Sequence, residues 1–311
     1  MSQLHILPKP EERTNEKDLA YFIALQESRP AVMPDHSAEK WNRRAEFWKK
    51  ESTNRRKGDE RMVSARNYLD QRGLLKEHFD VVDIGCGPGK FAAEFAKKVH
   101  HVTGLDISDK MVAHGTEYLQ QQGITNATLK TCDFQSLDIK KEGYEGAFDL
   151  VFSSMTPAIH GMNGLIKSMD MSRGWCCHIT RIDGHNILRE QMMQEVFGKK
   201  TPPKWTGRWF YSLFNVLFLM GHNPETSYDS TNHSLLIDPD EEYLDFLMEH
   251  TLPQTEINRE NARKIKDWLD VRRNKDGFIE EITDSTYARI LWNVKNKTIR
   301  HDYHAEEQEV L

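Results

Sequence analysis

The chain has 311 residues, 38% hydrophobic and 29% charged, with a formal net charge of −6. Such a composition supports a sizeable core, excludes a wholly disordered chain, and gives no global positive field for binding nucleic acid or anionic lipid. The four cysteines, Cys86, Cys132, Cys176 and Cys177, make no C-x-x-C pair, so neither a disulfide scaffold nor a metal site is expected, and the chain reads as a soluble cytoplasmic protein.

At the start of the sequence, Leu4, Ile6 and Leu7 run straight into Pro8, Pro10 and a charged segment, so no secretory core is expected there. A short helix is predicted around residues 18–27. A second, over 38–50, carries Trp41, Ala45, Phe47 and Trp48, and a third, over 62–71, shows Met62, Ala65 and Leu69 at helical spacing. Residues 1–72 therefore read as an N-terminal helical cap.

From residue 73 the pattern changes. Val81 to Ile84 is a short apolar run ended by glycines, followed by Phe91, Ala92, Phe95 and Val99 at helical spacing. Strands are predicted at 102–105, 127–131, 148–152 and 174–182. Between them lie a helix capped by Ser108 and another over 165–171. Short strands alternating with helices predict a doubly wound α/β core over 73–182, mostly parallel, with helices on both faces.

After Ile182 the alternation stops. Residues 183–224 read as a helical insertion after the fifth strand, with Trp205, Trp209, Phe210, Phe214 and Phe218 on a strongly aromatic helix. The apolar run Phe210 to Met220 falls short of the roughly 20 residues of a membrane span. It is expected in a core, with a homodimer face or a substrate cover as the alternatives. Strands at 226–237 and 287–294, with helices at 240–250 and 258–273 between them, complete a C-terminal segment over 225–299. Residues 300–311 form a polar tail.

Chemistry concentrates in Val81-Val82-Asp83-Ile84-Gly85-Cys86-Gly87-Pro88-Gly89-Lys90. A strand, a glycine turn and a helix make a corner where backbone approaches a ligand closely. Asp106, nineteen residues beyond Gly87, ends the next strand, where a carboxylate accepts from the two hydroxyls of a ribose. Dinucleotides and S-adenosylmethionine both use such a corner. Lys90 stands where the dinucleotide fingerprint needs Gly or Ala, and Asp83 would repel a pyrophosphate but attract the ammonium of a methionine moiety. Asp133 and Phe134, after the third strand, offer an acid for an adenine amino group and a ring to cover the base. The balance favours S-adenosylmethionine.

These residues, with Leu105-Asp106-Ile107-Ser108, Met111 and the Phe148-Asp149-Leu150-Val151 strand, resemble class I S-adenosylmethionine-dependent methyltransferases over residues 78–182. The resemblance implies a seven-stranded sheet whose last strands are partly antiparallel. It also implies a cofactor site of Asp83, Gly85, Cys86 and Gly87 at the methionine end, and Asp106 and Ile107 at the ribose and adenine. Asp133, Phe134 and Met111 would flank adenine, and Ser153 would stand beside the methyl donor. The Trp41 to Trp48 helix is similar to the aromatic lid of small-molecule members of that family. His160, in the loop after the fourth strand, is the candidate general base, for an acceptor that must lose a proton. The expected activity is methyl transfer to a small or medium organic acceptor, with no nucleic-acid or membrane partner. A cofactor-binding protein without transfer and a nicotinamide-dependent oxidoreductase are the alternatives.

Overall fold

The computed structural model describes residues 14–28, 37–39, 41–42, 45, 59–200 and 207–302. Phe47, Trp48 and Trp205, expected on the cap and the insertion, lie outside these. Two N-terminal helices are described, α1 (Asn15–Glu27) and α2 (Asp59–Gln71). The alternating segment then runs β1 (Asp80–Ile84), α3 (Lys90–Ala96), β2 (His101–Asp106), α4 (Asp109–Gln121), β3 (Ala127–Thr131), β4 (Phe148–Ser154), α5 (Gly161–Asp170) and β5 (Ser172–Asn186). It is followed by α6 (Ile187–Phe197), α7 (Arg208–Leu219), β6 (Glu225–Ile237), α8 (Glu241–Thr251), α9 (Arg259–Asp270) and β7 (Ile279–Asn293).

The strands form one seven-stranded sheet in the order β3-β2-β1-β4-β5-β7-β6. The pairs β1·β2, β2·β3, β1·β4 and β4·β5 are parallel, with Val82 level with Thr103 on one side and Val151 on the other. β7 runs against both neighbours. Val294 N donates to Gly174 O and Asn186 reaches Glu281, while Ser230 meets Thr286 and Asn232 meets Asp284, so partner numbers fall as the strands rise. Val81, Val82 and Ile84 are wholly buried because helices cover both faces of the sheet. At the amino ends of the strands, Arg173 of β5 bridges Asp149 of β4 and Asp80 of β1. At the carboxyl ends, the chain winds from β1 to one side and later from β4 to the other, which opens a crevice between those strands.

The chain divides into two compact units. The first comprises Met1–Thr180, Arg208–Ser227 and Ala288–Leu311; the second comprises Arg181–Gly207 and Tyr228–Tyr287. Within the first, Val82, Ile84, Leu105 and Val151 of the sheet share a core with Phe22 of α1 and Leu213, Val216 and Leu217 of α7. The aromatic helix is thus a core helix, and Phe22 meets Tyr211 edge to face at 5.4 Å. Within the second, Leu188 and Met192 of α6 pack with Tyr243 and Leu247 of α8 and Ile265, Trp268 and Leu269 of α9.

The segment 183–224, read from the sequence as one insertion, is accordingly divided. Its first helix joins α8 and α9, and its second joins the core of the sheet. β5 also continues to Asn186 and β7 begins at Ile279, because polar alternation there pairs strand with strand: Asn186 with Glu281, and Gly184 against Asp284.

Candidate functional site

The crevice holds a cleft of about 1040 Å³, its open mouth included. Gly85 to Pro88, Lys90 and Phe91 line it on one side, and Leu105 to Ile107 with Met111 on another. Cys132 to Gln135, then Ser154 to Ala158 with His160, complete the walls, and Trp41, Arg61 and Met62 join them from the N-terminal helical segment.

Backbone hydrogen bonds set the glycine loop. Gly85 N and Cys86 N both donate to Leu105 O, at 2.7 and 3.1 Å. The Asp106 carboxylate then accepts from Gly87 N at 2.8 Å and from Ser108 N at 2.9 Å, one bond to each oxygen. One side chain therefore ties the loop to the start of α4. Two glycines of the loop have different jobs. Gly85 has φ +71°, and a Cβ there would fall 2.0 Å from Thr156 Oγ1, so it permits close packing. Gly87 has φ +52° and a Cβ there would meet only open space, so it keeps the backbone bare where a ligand approaches.

Burial raises the Asp106 carboxyl above its ordinary value, against the lowering effect of the two N–H groups. Asp83 lies deeper, 1% exposed, in register with Gly104 and Phe152, and does not line the cleft. Its Oδ2 has no hydrogen-bond partner among the described atoms. Burial, with the Asp106 charge added, pushes its carboxyl up to about 8. A buried acid without a cation is held neutral, and it would serve as counter-ion to an ammonium only by giving up its proton as that charge arrives.

Phe134 is buried beside the cleft, and Lys167 holds its loop in place. The Lys167 Nζ donates to Phe134 O at 2.9 Å and to Gln135 O at 2.7 Å, and lies 5.4 Å from the centre of the Phe134 ring. Asp133 turns the loop by accepting from Gln135 N at 3.0 Å. Ser108 caps α4 by accepting from Met111 N, which seats Met111 against the cleft, and its hydroxyl donates to Asn42 Oδ1 at 2.5 Å. The second residue of the Trp41-Asn42 pair is thereby fastened beside Asp106.

On the cleft wall that follows β4, Met155 has φ +55°, the only non-glycine residue with positive φ among the described residues. Such a conformation costs on the order of 1–3 kcal/mol and is characteristic of functional turns. It directs the chain from β4 into the loop that ends at His160, which lines the cleft and sits at the N-cap of α5.

Of the residues expected from the sequence, Gly85, Cys86, Gly87, Asp106, Ile107, Met111, Asp133, Phe134 and His160 meet at this cleft, whereas Asp83 and Ser153 do not line it. Ser153 is turned inward, 2.5 Å from Nδ1 of buried His178, and its neighbour Ser154 lines the cleft instead, with its hydroxyl oxygen buried. Burial holds the His178 ring neutral, pushing its ionisation down to about 3. Trp209 and Phe210, for which a core place and a cover over an acceptor pocket were both open, pack against the core, with Trp209 6.1 Å from the His178 ring. Sequence reasoning gave no site role to Gln135, Lys167, Asn42 or Arg61. Only Gln135, next to the Asp133-Phe134 pair, had a signal in its position.

Residues 81–169 match a family model described as a methyltransferase domain. The 2-heptyl-1-hydroxyquinolin-4(1H)-one methyltransferase of Mycobacteroides abscessus is 32% identical over 79 residues, 25% of this chain and 33% of that protein. The EEF1A lysine methyltransferase 2 of Homo sapiens is 30% identical over 95 residues, 29% of this chain and 40% of that protein. The chain thus spans a third to two fifths of the length of these two curated relatives. Among solved structures, magnesium protoporphyrin IX methyltransferase from Synechocystis PCC 6803, with S-adenosylhomocysteine bound, aligns at a TM-score of 0.41 and 20% identity, covering 56% of this chain and 77% of that one. The glycine corner thus lies within the segment, residues 81–169, that matches a methyltransferase domain, and that segment is set in a doubly wound, mostly parallel sheet of Rossmann-like winding.

Proposed function

We propose that this chain binds S-adenosylmethionine in the cleft and transfers its methyl group to a small or medium organic acceptor. The observation that carries the reading is the meeting of two features at one place: Gly87, bare toward open cleft space, and the Asp106 carboxylate bonded to it. In this reading Gly85, Cys86 and Gly87 cradle the methionine end, and Asp83 balances its ammonium from beneath the loop. Asp106 takes the ribose hydroxyls on the lone pairs its two backbone partners leave unused. Ile107, Met111 and Phe134 enclose the adenine, and Asp133 accepts from its amino group. The sulfonium supplies an already activated methyl group. The protein is left to align the acceptor, exclude water and orient the nucleophile.

Trp41, fixed through Asn42, closes the cleft as a lid, and Met155, Thr156 and His160 form the acceptor side. The mostly apolar walls, Trp41, Met62, Phe91 and Met155 among them, support a small organic acceptor over duplex nucleic acid. Four free thiols support a reducing, cytoplasmic setting, and no helix among the described residues is long and apolar enough to cross a membrane. The oxidoreductase alternative is disfavoured by the methyltransferase match over the very segment that holds the glycine loop.

The test is incubation of the purified protein with methyl-labelled S-adenosylmethionine and a fractionated small-molecule extract. Label should move into a low-molecular-weight product, and a His160→Asn variant should lower the rate while retaining cofactor affinity. With total nucleic acid offered in a parallel incubation, label recovered only there would refute the small-molecule assignment.

A further inference from the structure

Helix α5 begins without a cap of its own. His160 holds the N-cap position, yet its side chain accepts no hydrogen bond from the first turn and lines the cleft instead. A helix leaves its first N–H groups without partners inside the helix, and Ser, Thr, Asn or Asp at the N-cap ordinarily supplies one. Here the missing acceptor comes from another helix. Glu27, the last residue of α1, accepts from Met162 N through Oε1 at 2.7 Å. A carboxylate suits that place, because the start of a helix carries partial positive charge. Gly161 makes the room: it has φ +65°, and a Cβ there would fall 2.8 Å from Glu27 Oε2 and 2.9 Å from Oε1. Helix α1 is itself held at both ends. Asn15 N donates to Asp302 Oδ1 at 2.5 Å and Asn15 Nδ2 to Arg300 O at 3.2 Å, while Arg208 donates to Ser28 Oγ beside Glu27. Between those ends Phe22 seats the helix in the core.

We propose that Glu27 is a positioning residue for the acceptor side of the cleft, acting through the backbone at the start of α5. The proposal rests on reading the cleft as a methyl-transfer site. The loop that follows β4 is held at three points. Met155 N donates to Ile179 O at 2.9 Å where the chain leaves the strand, Ala158 O accepts from Gln135 Nε2 in the middle, and Glu27 takes Met162 N two residues beyond His160. The first two anchors belong to the sheet and its own loops. The third comes from the N-terminal helical segment, which also brings Trp41 to the cleft. The glycine loop is fastened separately, by Leu105 O and the Asp106 carboxylate. Loss of the Glu27 carboxylate therefore frees the end of the acceptor loop and leaves the cofactor corner as it is. Giving the cap to α1 leaves the His160 side chain to the cleft, where alignment of an acceptor is sensitive to small displacements.

The experiment compares the whole wild-type chain with Glu27→Ala and with Glu27→Gln, which keeps an acceptor oxygen. Without added ligand, hydrogen–deuterium exchange at Met162 should quicken about tenfold in Glu27→Ala and return most of the way in Glu27→Gln, with Gly85 to Gly87 unchanged. In histidine-labelled protein the His160 ring signals, identified by His160→Asn, should move in Glu27→Ala and stay near their wild-type positions in Glu27→Gln. Transfer from methyl-labelled S-adenosylmethionine into the small-molecule extract should slow about 3- to 10-fold in Glu27→Ala, while S-adenosylhomocysteine affinity stays within about twofold of wild type. Unchanged exchange at Met162 or unmoved His160 signals would overturn the proposal. So would cofactor affinity that falls in step with transfer, or a Glu27→Gln protein as slow as Glu27→Ala. The exchange and histidine measurements need no acceptor. A wild type that transfers no methyl group would therefore count against the methyl-transfer reading and leave those two measurements to decide this one.

Discussion

Replacing Asp106 by Ala removes a carboxylate that does two things at once. In the free protein it accepts from Gly87 N at 2.8 Å and Ser108 N at 2.9 Å. A hydrogen bond to a charged group contributes about 1.5–3 kcal/mol, and both donors lie near enough to the cleft for water to replace part of that. The unliganded variant should therefore lose about 2–3 kcal/mol of stability and remain folded. On binding, the same carboxylate would take two ribose hydroxyls, and losing those should weaken S-adenosylhomocysteine by a further 2–3 kcal/mol or so, about 30- to 150-fold in Kd. Asp106→Asn, which keeps one acceptor oxygen, should fall between the two. Isothermal calorimetry on variants with native circular dichroism measures it. An unchanged Kd in a folded Asp106→Ala protein would refute the placement of the ribose.

Three further outcomes follow from neighbouring residues. Gly85→Ala drives a Cβ to 2.0 Å from Thr156 Oγ1 at φ +71° and should cost about 2–4 kcal/mol in a denaturant melt, whereas Gly87→Ala, open around its Cβ, should mainly abolish ligand binding; equal stability losses would contradict the division of labour. Asp83, whose carboxyl is pushed from 3.8 to about 8, is protonated when folded and ionised when unfolded between those values, so stability falls as pH rises. Between pH 5 and pH 7 the wild type should lose about 1.4 kcal/mol per pH unit relative to Asp83→Asn, and parallel profiles would show the buried acid to be unperturbed. Asn42→Ala removes the 2.5 Å bond to Ser108 and should weaken S-adenosylhomocysteine about 3- to 10-fold by surface plasmon resonance, mostly through faster release; no change would separate the Trp41 segment from the cofactor.

Much of the cofactor half of the cleft was legible in the sequence, because it is local. A strand, three glycines, a cap serine and an acid at a strand end are each one short segment, and their spacing reports the βαβ winding. Ser153 shows where that reading stops. Side chains alternate along a strand, so a displacement of one residue exchanges cleft for core. β4 continues to Ser154, which puts Ser153 against His178 and Ser154 at the cleft wall. Asp83 was legible as an unusual acid but not as one sunk under the loop, since depth in a sheet depends on covering helices distant in sequence. The partition of 183–224 was illegible for the same reason: α6 and α7 both carry apolar residues to bury, and only long-range packing sends one to α8 and α9 and the other to Phe22. Lys167 acts through the backbone carbonyls of Phe134 and Gln135, which leave no mark in a sequence.

The central claim is that this corner holds S-adenosylmethionine and not a nicotinamide dinucleotide. Calorimetric titration of the purified chain with S-adenosylhomocysteine and, separately, with NADH tests it most directly. The account predicts one-to-one binding of S-adenosylhomocysteine, weakened in Asp106→Ala, and no heat with NADH. Saturable binding of NADH with none of S-adenosylhomocysteine would contradict it.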